Sequence, residues 1–171
     1  MIFWLLIFYS FGGYLLEKAF AAATAAPQQV RKCRLLLPLC PVYGLGMLAV
    51  LALPERWGSG WQLLLWGGLA ATAVEYVVHW SYDTFLGIRF WDYSGVVGNI
   101  RGRICLPFSL IWGGLTAAVV RWIHPAVERL VERTVPEVTY LCLMVFALDT
   151  FCSLRFLKVT GDPERLRADR I

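Results

Sequence analysis

The chain has 171 residues, of which 58% are hydrophobic and 16% are charged, and its mean hydropathy is +0.60. Soluble domains carry roughly 45–50% apolar and about 25% charged residues, and a domain this small leaves much of its surface in water. The composition therefore excludes an ordinary soluble domain and predicts an all-α integral membrane protein in the lipid bilayer. The net charge of +4 does not indicate a nucleic-acid partner, because the basic residues flank apolar runs.

Five apolar segments account for most of the chain. A helix needs about 20 mostly apolar residues to cross the hydrocarbon core of a bilayer. The five candidates are residues 2–24, 38–54, 61–80, 104–123 and 138–157. The first begins without a basic lead, so we expect an uncleaved span rather than a signal peptide. No linker suggests a second domain, and residues 1–171 are expected to form one membrane domain, a bundle of about five transmembrane helices.

The distribution of Lys and Arg predicts the orientation. Basic residues are enriched in the cytoplasmic connections of membrane proteins. Twelve of the 16 basic residues follow the first span, the third span or the fifth span. The other four lie in the remaining connections: Arg56, Arg121, Arg129 and Arg133. This split predicts a plasma-membrane protein with its N-terminus outside and its C-terminus in the cytoplasm.

The connection between the fourth and fifth spans has an amphipathic pattern. Its apolar residues Val127, Leu130 and Val131 recur at helical spacing within AVERLVER. Pro125 suits the first turn of a helix and Pro136 its end. We therefore expect a short amphipathic helix lying on the outer surface of the membrane.

The connection between the third and fourth spans is the most polar stretch beside a span. An aromatic belt would explain its Trp and Tyr residues. It would not explain the polar residues that lie among glycines: Asp92, Ser94, Asn99, Arg101 and Arg103. The pattern favours an interfacial or re-entrant polar loop, which membranes tolerate where the loop lines a cavity.

Two similar strings occur in the third and fourth spans. WGGLAATAV begins at Trp66 and WGGLTAAVV begins at Trp112. They indicate either an internal repeat or a shared need for small residues where helices approach closely.

Ionisable residues within the spans are costly and call for a reason. Glu75, His79 and Asp83 are spaced four apart and share one face of the third helix. Three interpretations stay open for them: polar contacts between helices, a substrate or ion site, or a metal site completed by ligands from other helices. Glu17 and Asp149 are the acids of the first and fifth spans.

The sequence gives little indication of enzymatic chemistry. It contains no GxSxG motif and no GxxxxGK[ST] loop for ATP. We expect no cofactor, and the chain as given would need another subunit for ATP-driven transport.

Five stretches of sequence, in order, resemble a known family. They are FYSFGGYLLE, PLCPVYGLG, EYVVHWSYDTFLGIRFWDYS, NIRGRICLPFSLIWGG and LDTFCS, which cover residues 8–17, 38–46, 75–94, 99–114 and 148–153. On these motifs the chain is similar to the putative ABC-transporter type IV family, also described as CmpB-like ABC transporter permeases. The resemblance implies a permease-like protein for a small molecule or an ion, working as a homodimer or with a separate ATPase subunit.

The family positions matched in this chain suggest a polar intramembrane cavity. The residues that the resemblance implies for it are Glu17, Tyr43, Glu75, Asp92, Tyr93, Asn99, Arg103, Ser109 and Asp149. Two other functions stay open. The first is an integral membrane enzyme that acts on a lipid or lipid-linked substrate, and the second is an accessory subunit with no site.

Overall fold

The computed structural model describes residues 1–24 and 36–162. Over these residues the chain is helical, apart from its connections and one isolated β-bridge between Ile100 and Ile104. The helices are α1 Ile2–Thr24, α2 Pro41–Leu51, α3 Gly60–Leu86, α4 Leu106–Val131 and α5 Pro136–Thr160. The all-α class predicted from composition is confirmed.

Four of the helices are long and apolar enough to cross a membrane. α1, α3, α4 and α5 contain 23, 27, 26 and 25 residues. At about 1.5 Å per residue each exceeds the ~30 Å thickness of the hydrocarbon core. The first, third, fourth and fifth predicted spans are therefore confirmed. α3 runs six residues beyond its predicted end and stops at Gly87, whose φ of 66° ends the helix.

The second predicted span differs from the structure. α2 has 11 residues, or about 16 Å, and is too short to cross as a helix. A residue that precedes a proline disfavours helical geometry, which keeps the chain around Pro38 non-helical until Pro41 opens α2. The Cys40 amide donates to the Ser10 carbonyl at 2.9 Å, so α2 begins beside the middle of α1. The second span is a non-helical lead-in followed by a half-length helix.

The predicted surface helix between the fourth and fifth spans is also corrected. Residues His124–Val131 continue α4 through a π-helical turn at Val119–Ile123. Val131 is buried against Leu5 and Tyr9 of α1, and Val127 is partly buried in the same cluster. Leu130 is 51% exposed, so two of the three apolar residues of this segment pack inside the bundle. Pro136 opens α5 instead of ending the amphipathic segment.

The two similar strings meet at the crossing of α3 and α4. A Cβ atom on Gly113 would lie 2.6 Å from the Leu64 carbonyl oxygen, and one on Gly68 would lie 2.9 Å from Cα of Gly113. Glycine at both positions lets the two backbones touch. The similarity of the strings thus serves close helix packing.

α2 lies between α1 and α3 and runs antiparallel to both. Met47 of α2 packs with Leu5 of α1, while Val42 near the start of α2 packs with Val78 of α3. Tyr43 also packs against this core from α2. The half-length helix therefore carries Tyr43 into the interior, between the long helices.

Candidate functional site

The connection between α3 and α4, residues 87–105, is a folded loop that we call the cap loop. The Tyr93 amide donates to the Gly102 carbonyl at 2.8 Å. Nδ2 of Asn99 donates to the carbonyls of Ser94 (3.1 Å) and Val96 (2.9 Å), and its Oδ1 accepts from the Gly102 amide at 3.2 Å. The polar side chain of Asn99 thus holds the loop together.

Asp92 lies at the turn of the cap loop. Its Oδ1 accepts hydrogen bonds from the Ser94 hydroxyl at 2.5 Å and the Ser94 amide at 2.9 Å. These bonds hold the pKa of Asp92 below its usual range. Asp92 is consequently ionised at neutral pH.

Arg103 ties the cap loop to α3. Its Nη2 lies 3.1 Å from Asp83 Oδ2, and its Nη1 donates to the Tyr76 hydroxyl at 3.1 Å. Arg89 makes a second ion pair with Asp83 at 3.2 Å. The hydrogen bond to Asp83 raises the pKa of Arg103, so this guanidinium serves as the counter-charge of an acid at the end of α3.

The i, i+4, i+8 face of α3 contacts the cap loop at three heights. Asp83 binds Arg103, His79 Nε2 lies 2.9 Å from the Trp91 carbonyl oxygen, and Glu75 accepts from the Tyr93 hydroxyl at 3.1 Å. Over the described residues no three His, Cys, Asp or Glu side chains are grouped so that they could hold a metal. The shared face of α3 therefore binds a loop.

Glu75 lies at the bottom of this face and is fully buried. In addition to the bond from Tyr93, it accepts a hydrogen bond from Nε1 of Trp112 on α4 at 2.8 Å. A buried acid requires hydrogen-bond donors to offset its lost hydration. Glu75 thus fixes two aromatic rings, one from the cap loop and one from α4.

Those two rings face a second carboxyl group across a cavity. The Tyr43 hydroxyl donates to Oε1 of Glu17 at 2.6 Å, and the Tyr43 ring lies 5.0 Å from the Trp112 ring, centre to centre. Glu17 comes from α1, Tyr43 from α2 and Trp112 from α4. The cavity that they adjoin has a volume of about 520 Å³, within the ~300–1,000 Å³ typical of small-molecule sites.

The cavity lies between α1, α4, the cap loop and the Tyr43 side chain. Its lining residues are Leu16, Glu17, Phe20, Tyr43, Arg89, Phe90, Trp91, Asp92, Tyr93, Phe108, Ile111, Trp112 and Leu115. Glu17, Tyr43, Asp92 and Tyr93 are the sequence-predicted site residues that line it. Glu75 lies behind the wall formed by Tyr93 and Trp112.

Three other predicted site residues point elsewhere. Asn99 and Arg103 stabilise the cap loop, as described above. The Ser109 hydroxyl donates to the Cys105 carbonyl one helical turn earlier at 2.9 Å. Two of the polar loop residues thus separate, because Asp92 lines the cavity whereas Arg103 turns to α3.

Asp149 serves the non-helical part of the second span. Its carboxyl oxygens accept from the amides of Leu36 at 3.2 Å and Leu37 at 3.5 Å, and Ser153 accepts from the Leu36 amide at 3.3 Å. Non-helical backbone at membrane depth needs such partners. Asp149 is therefore a backbone anchor and does not line the cavity.

Several cavity residues were not predicted from the sequence. The α4 wall consists of Phe108, Ile111, Trp112 and Leu115, which recur at i, i+3, i+4 and i+7. This spacing places them on one helical face, and it was available in the sequence. It carried no functional signal because apolar residues fill the whole span.

A family of known proteins matches most of the chain. The profile of the family described as putative ABC-transporter type IV matches residues 4–154, which include every helix except the first two residues of α1 and the last turns of α5. No curated protein and no solved structure matches the chain. The match agrees with the motifs that suggested this family and with four helices able to span a membrane. The chain therefore belongs to the putative ABC-transporter type IV family of membrane proteins.

Proposed function

We propose that the chain is the permease-like membrane subunit of a transporter and that its cavity holds the transported small molecule or ion. The observation that carries this proposal is the cavity of about 520 Å³, in which the Glu17 carboxyl group is held by Tyr43. Polar groups that converge inside an aromatic cavity at membrane depth are typical of a binding site.

The energy for transport comes from a separate subunit in this proposal. The given sequence has no ATP-binding loop of the GxxxxGK[ST] type, and ABC transporters couple membrane subunits to ATPase subunits. Four long helices and the half-length α2 are few for a complete permease, so a homodimer of the chain would form the membrane part. The basic residues support a cytoplasmic C-terminus in the plasma membrane.

Access to the cavity is proposed from the cytoplasmic half of the membrane. Arg89, Trp91 and Asp92 of the cap loop line the cavity, and the loop connects two spans on the side rich in Lys and Arg. The Arg103–Asp83 ion pair holds this loop against α3. A water-soluble ligand that enters from this side would require the loop to move relative to α1.

The test uses the assembled complex. The tagged chain is purified from native membranes with its partners, and inverted membrane vesicles are assayed for ATP-dependent accumulation of a panel of solutes. The test variant is Ile111→Trp, which places a bulky ring at the outer edge of the cavity that Ile111 lines. The matched control is Leu110→Trp, because Leu110 neighbours Ile111 on α4, is 69% exposed and does not line the cavity.

We expect an ATPase to co-purify and accumulation to fall at least about tenfold in Ile111→Trp, with little change in Leu110→Trp. Equal transport by both variants would remove the cavity from the transport path. Absence of both an ATPase partner and ATP-dependent accumulation would overturn the proposed function.

A further inference from the structure

The cavity has predominantly aromatic walls. Seven of its 13 lining residues are Phe, Tyr or Trp. They are Phe20, Tyr43, Phe90, Trp91, Tyr93, Phe108 and Trp112. The faces of aromatic rings carry negative electrostatic potential and attract cations within about 6 Å. Walls of this kind favour a positively charged ligand with an apolar body.

The charged residues around the cavity also favour a positively charged ligand. Two acids, Glu17 and Asp92, line the cavity beside one basic residue, Arg89, which shares Asp83 with Arg103. The neighbouring Lys18 places its Nζ over the Tyr14 ring at 5.4 Å. Among residues 1–24 and 36–162, no basic side chain forms an ion pair with Glu17. A cation in the cavity would supply the counter-charge that a carboxylate at this depth requires.

Glu75 adds to this field from behind the wall. Its carboxyl oxygens accept hydrogen bonds from Tyr93 and Trp112, both of which line the cavity. Donation to a carboxylate increases the electron density of these rings, which strengthens their attraction for a cation.

The edge of the cavity is apolar and faces outward. Leu16 and Phe20 of α1 are each 41% exposed, and Ile111 of α4 is 57% exposed. In a membrane these side chains contact lipid. A ligand that partitions into the bilayer could reach Glu17 between α1 and α4 without crossing the cap loop.

The same composition disfavours a bare metal cation. Mg²⁺ and Ca²⁺ require about six or more oxygen ligands. The side-chain oxygens of the lining come from Glu17, Tyr43, Asp92 and Tyr93, and Asp92 is already engaged by Ser94. The aromatic faces that make up most of the wall provide no ligands for such an ion.

We infer that the cavity binds hydrophobic organic cations, with the cationic centre near Glu17 and the apolar body against the aromatic walls. The inference rests on the proposed function in one respect, because it names the class of molecule that the same cavity would hold for transport.

The experiment compares two ions of the same shape and opposite charge. Tetraphenylphosphonium and tetraphenylborate are titrated, by equilibrium dialysis, against the full-length chain purified in a neutral detergent. Protein-free micelles give the background partitioning. The variants are Glu17→Gln, which removes the charge, and Glu17→Asp, which retains it. Glu132→Gln is the matched control, since Glu132 is exposed between α4 and α5 and lies outside the cavity.

We expect saturable binding of tetraphenylphosphonium and no saturable binding of tetraphenylborate. Glu17→Gln should weaken binding about tenfold or more, through loss of the carboxylate attraction, while Glu17→Asp and Glu132→Gln keep most of it. Gel filtration and circular dichroism check that each variant is folded. Equal binding of both ions, or full binding by a folded Glu17→Gln variant, would overturn the inference.

This assay separates the two proposals because it needs no ATPase. If tetraphenylphosphonium binds as expected but ATP drives no accumulation, the proposed function fails and the cation site remains. If ATP drives accumulation of neutral or anionic solutes through the cavity, the cation inference fails and the transporter remains.

Discussion

The Tyr43 hydroxyl donates a 2.6 Å hydrogen bond to Oε1 of Glu17 and so joins the half-length helix α2 to α1 at the wall of the cavity. The bond explains how an acid is accommodated two helical turns from the end of a transmembrane helix. Because Tyr43 lies on α2, a shift of α2 would also change the hydrogen bonding of the Glu17 carboxyl group that faces the cavity.

Replacement of Tyr43 by Phe tests this coupling. The ring and its contact with Trp112 would remain, but Glu17 would lose its donor. Loss of a hydrogen bond to a charged, partly buried group costs about 1.5–3 kcal/mol. We expect Tyr43→Phe to have a lower melting temperature than the wild type in detergent, with unfolding monitored by intrinsic fluorescence. Tyr140→Phe is the control, because Tyr140 is 72% exposed on α5; equal melting temperatures for the two variants would argue against a stabilising role for the bond.

The packing of α3 against α4 gives a second prediction. A Cβ on Gly113 would meet the Leu64 carbonyl oxygen at 2.6 Å, whereas one on Gly114 would have no atom within 4 Å. Overpacking of a tight contact typically costs about 1–3 kcal/mol, while Gly to Ala in an open helical position is neutral or favourable by up to about 1 kcal/mol. Gly113→Ala should therefore reduce the thermal stability of the purified chain and Gly114→Ala should not. A stable Gly113→Ala variant would mean that the helices can separate at their crossing.

Asp149 gives a third prediction, which concerns the backbone of the second span. Asp149→Leu would leave the amides of Leu36 and Leu37 without their carboxylate acceptor. A backbone donor without an acceptor at membrane depth costs several kcal/mol. We expect faster hydrogen exchange in peptides that cover residues 36–40, measured by mass spectrometry, with smaller changes in α3. Asp149→Asn retains an acceptor oxygen and should lie between the wild type and Asp149→Leu; unchanged exchange in both variants would refute the anchoring role.

The Arg103–Asp83 pair gives a fourth prediction, suited to a double-mutant cycle. The two side chains are 12% and 24% exposed, so solvent screens the pair only in part. We expect the effects of Arg103→Ala and Asp83→Ala on the melting temperature to be non-additive, with the double variant less destabilised than the sum of the two single variants. Arg101→Ala in the same loop is the control, since Arg101 is exposed. Additive effects of the two substitutions would show that the cap loop is held by its other contacts.

The sequence predicted the long helices because a bilayer imposes a local rule. Each span must be continuously apolar over about 20 residues, and the bounds of α1 agree with the prediction at both ends. The extension of α3 to Leu86 was missed, since Asp83 is tolerated there through Arg89 and through Arg103, a residue 20 positions later. The acceptors of the Leu36 and Leu37 amides are likewise more than 110 residues distant. Contacts of this kind have no periodicity along the chain.

The candidate site could likewise be predicted from the sequence only in part. Its acids Glu17 and Asp92 stood out in the sequence, because polar groups in or beside a span require explanation, whereas Tyr43 and Tyr93 were implied by the resemblance to the family. Its aromatic wall did not stand out, since Phe108 and Trp112 suit lipid and a cavity equally well. Asp149 belongs to the same class of costly residues as Glu17, and only the fold separates a cavity acid from a backbone anchor.

The orientation of the chain gives the last prediction. The lead-in of residues 36–40 adds at most about 3.3 Å per residue to the roughly 16 Å of α2, which together approach the ~30 Å of the hydrocarbon core. The second span would then complete a crossing, and five crossings would put Glu55 and Glu132 outside and Val97 in the cytoplasm. Glu55, Val97 and Glu132 are all exposed. Each is replaced singly by Cys in a background in which Cys33, Cys142 and Cys152 have been changed to Ala. Buried Cys40 and Cys105 should stay unlabelled.

A membrane-impermeant maleimide on intact cells should label Glu55→Cys and Glu132→Cys, and it should label Val97→Cys only after the membrane is opened. The reverse pattern would invert the orientation. Labelling of Glu55→Cys and Glu132→Cys from opposite sides would contradict the crossing of either α3 or α4. The Lys and Arg asymmetry acts on loops near the spans, so exchanging Arg89 and Arg101 for Gln should leave the pattern intact while the ten other basic residues on that side remain.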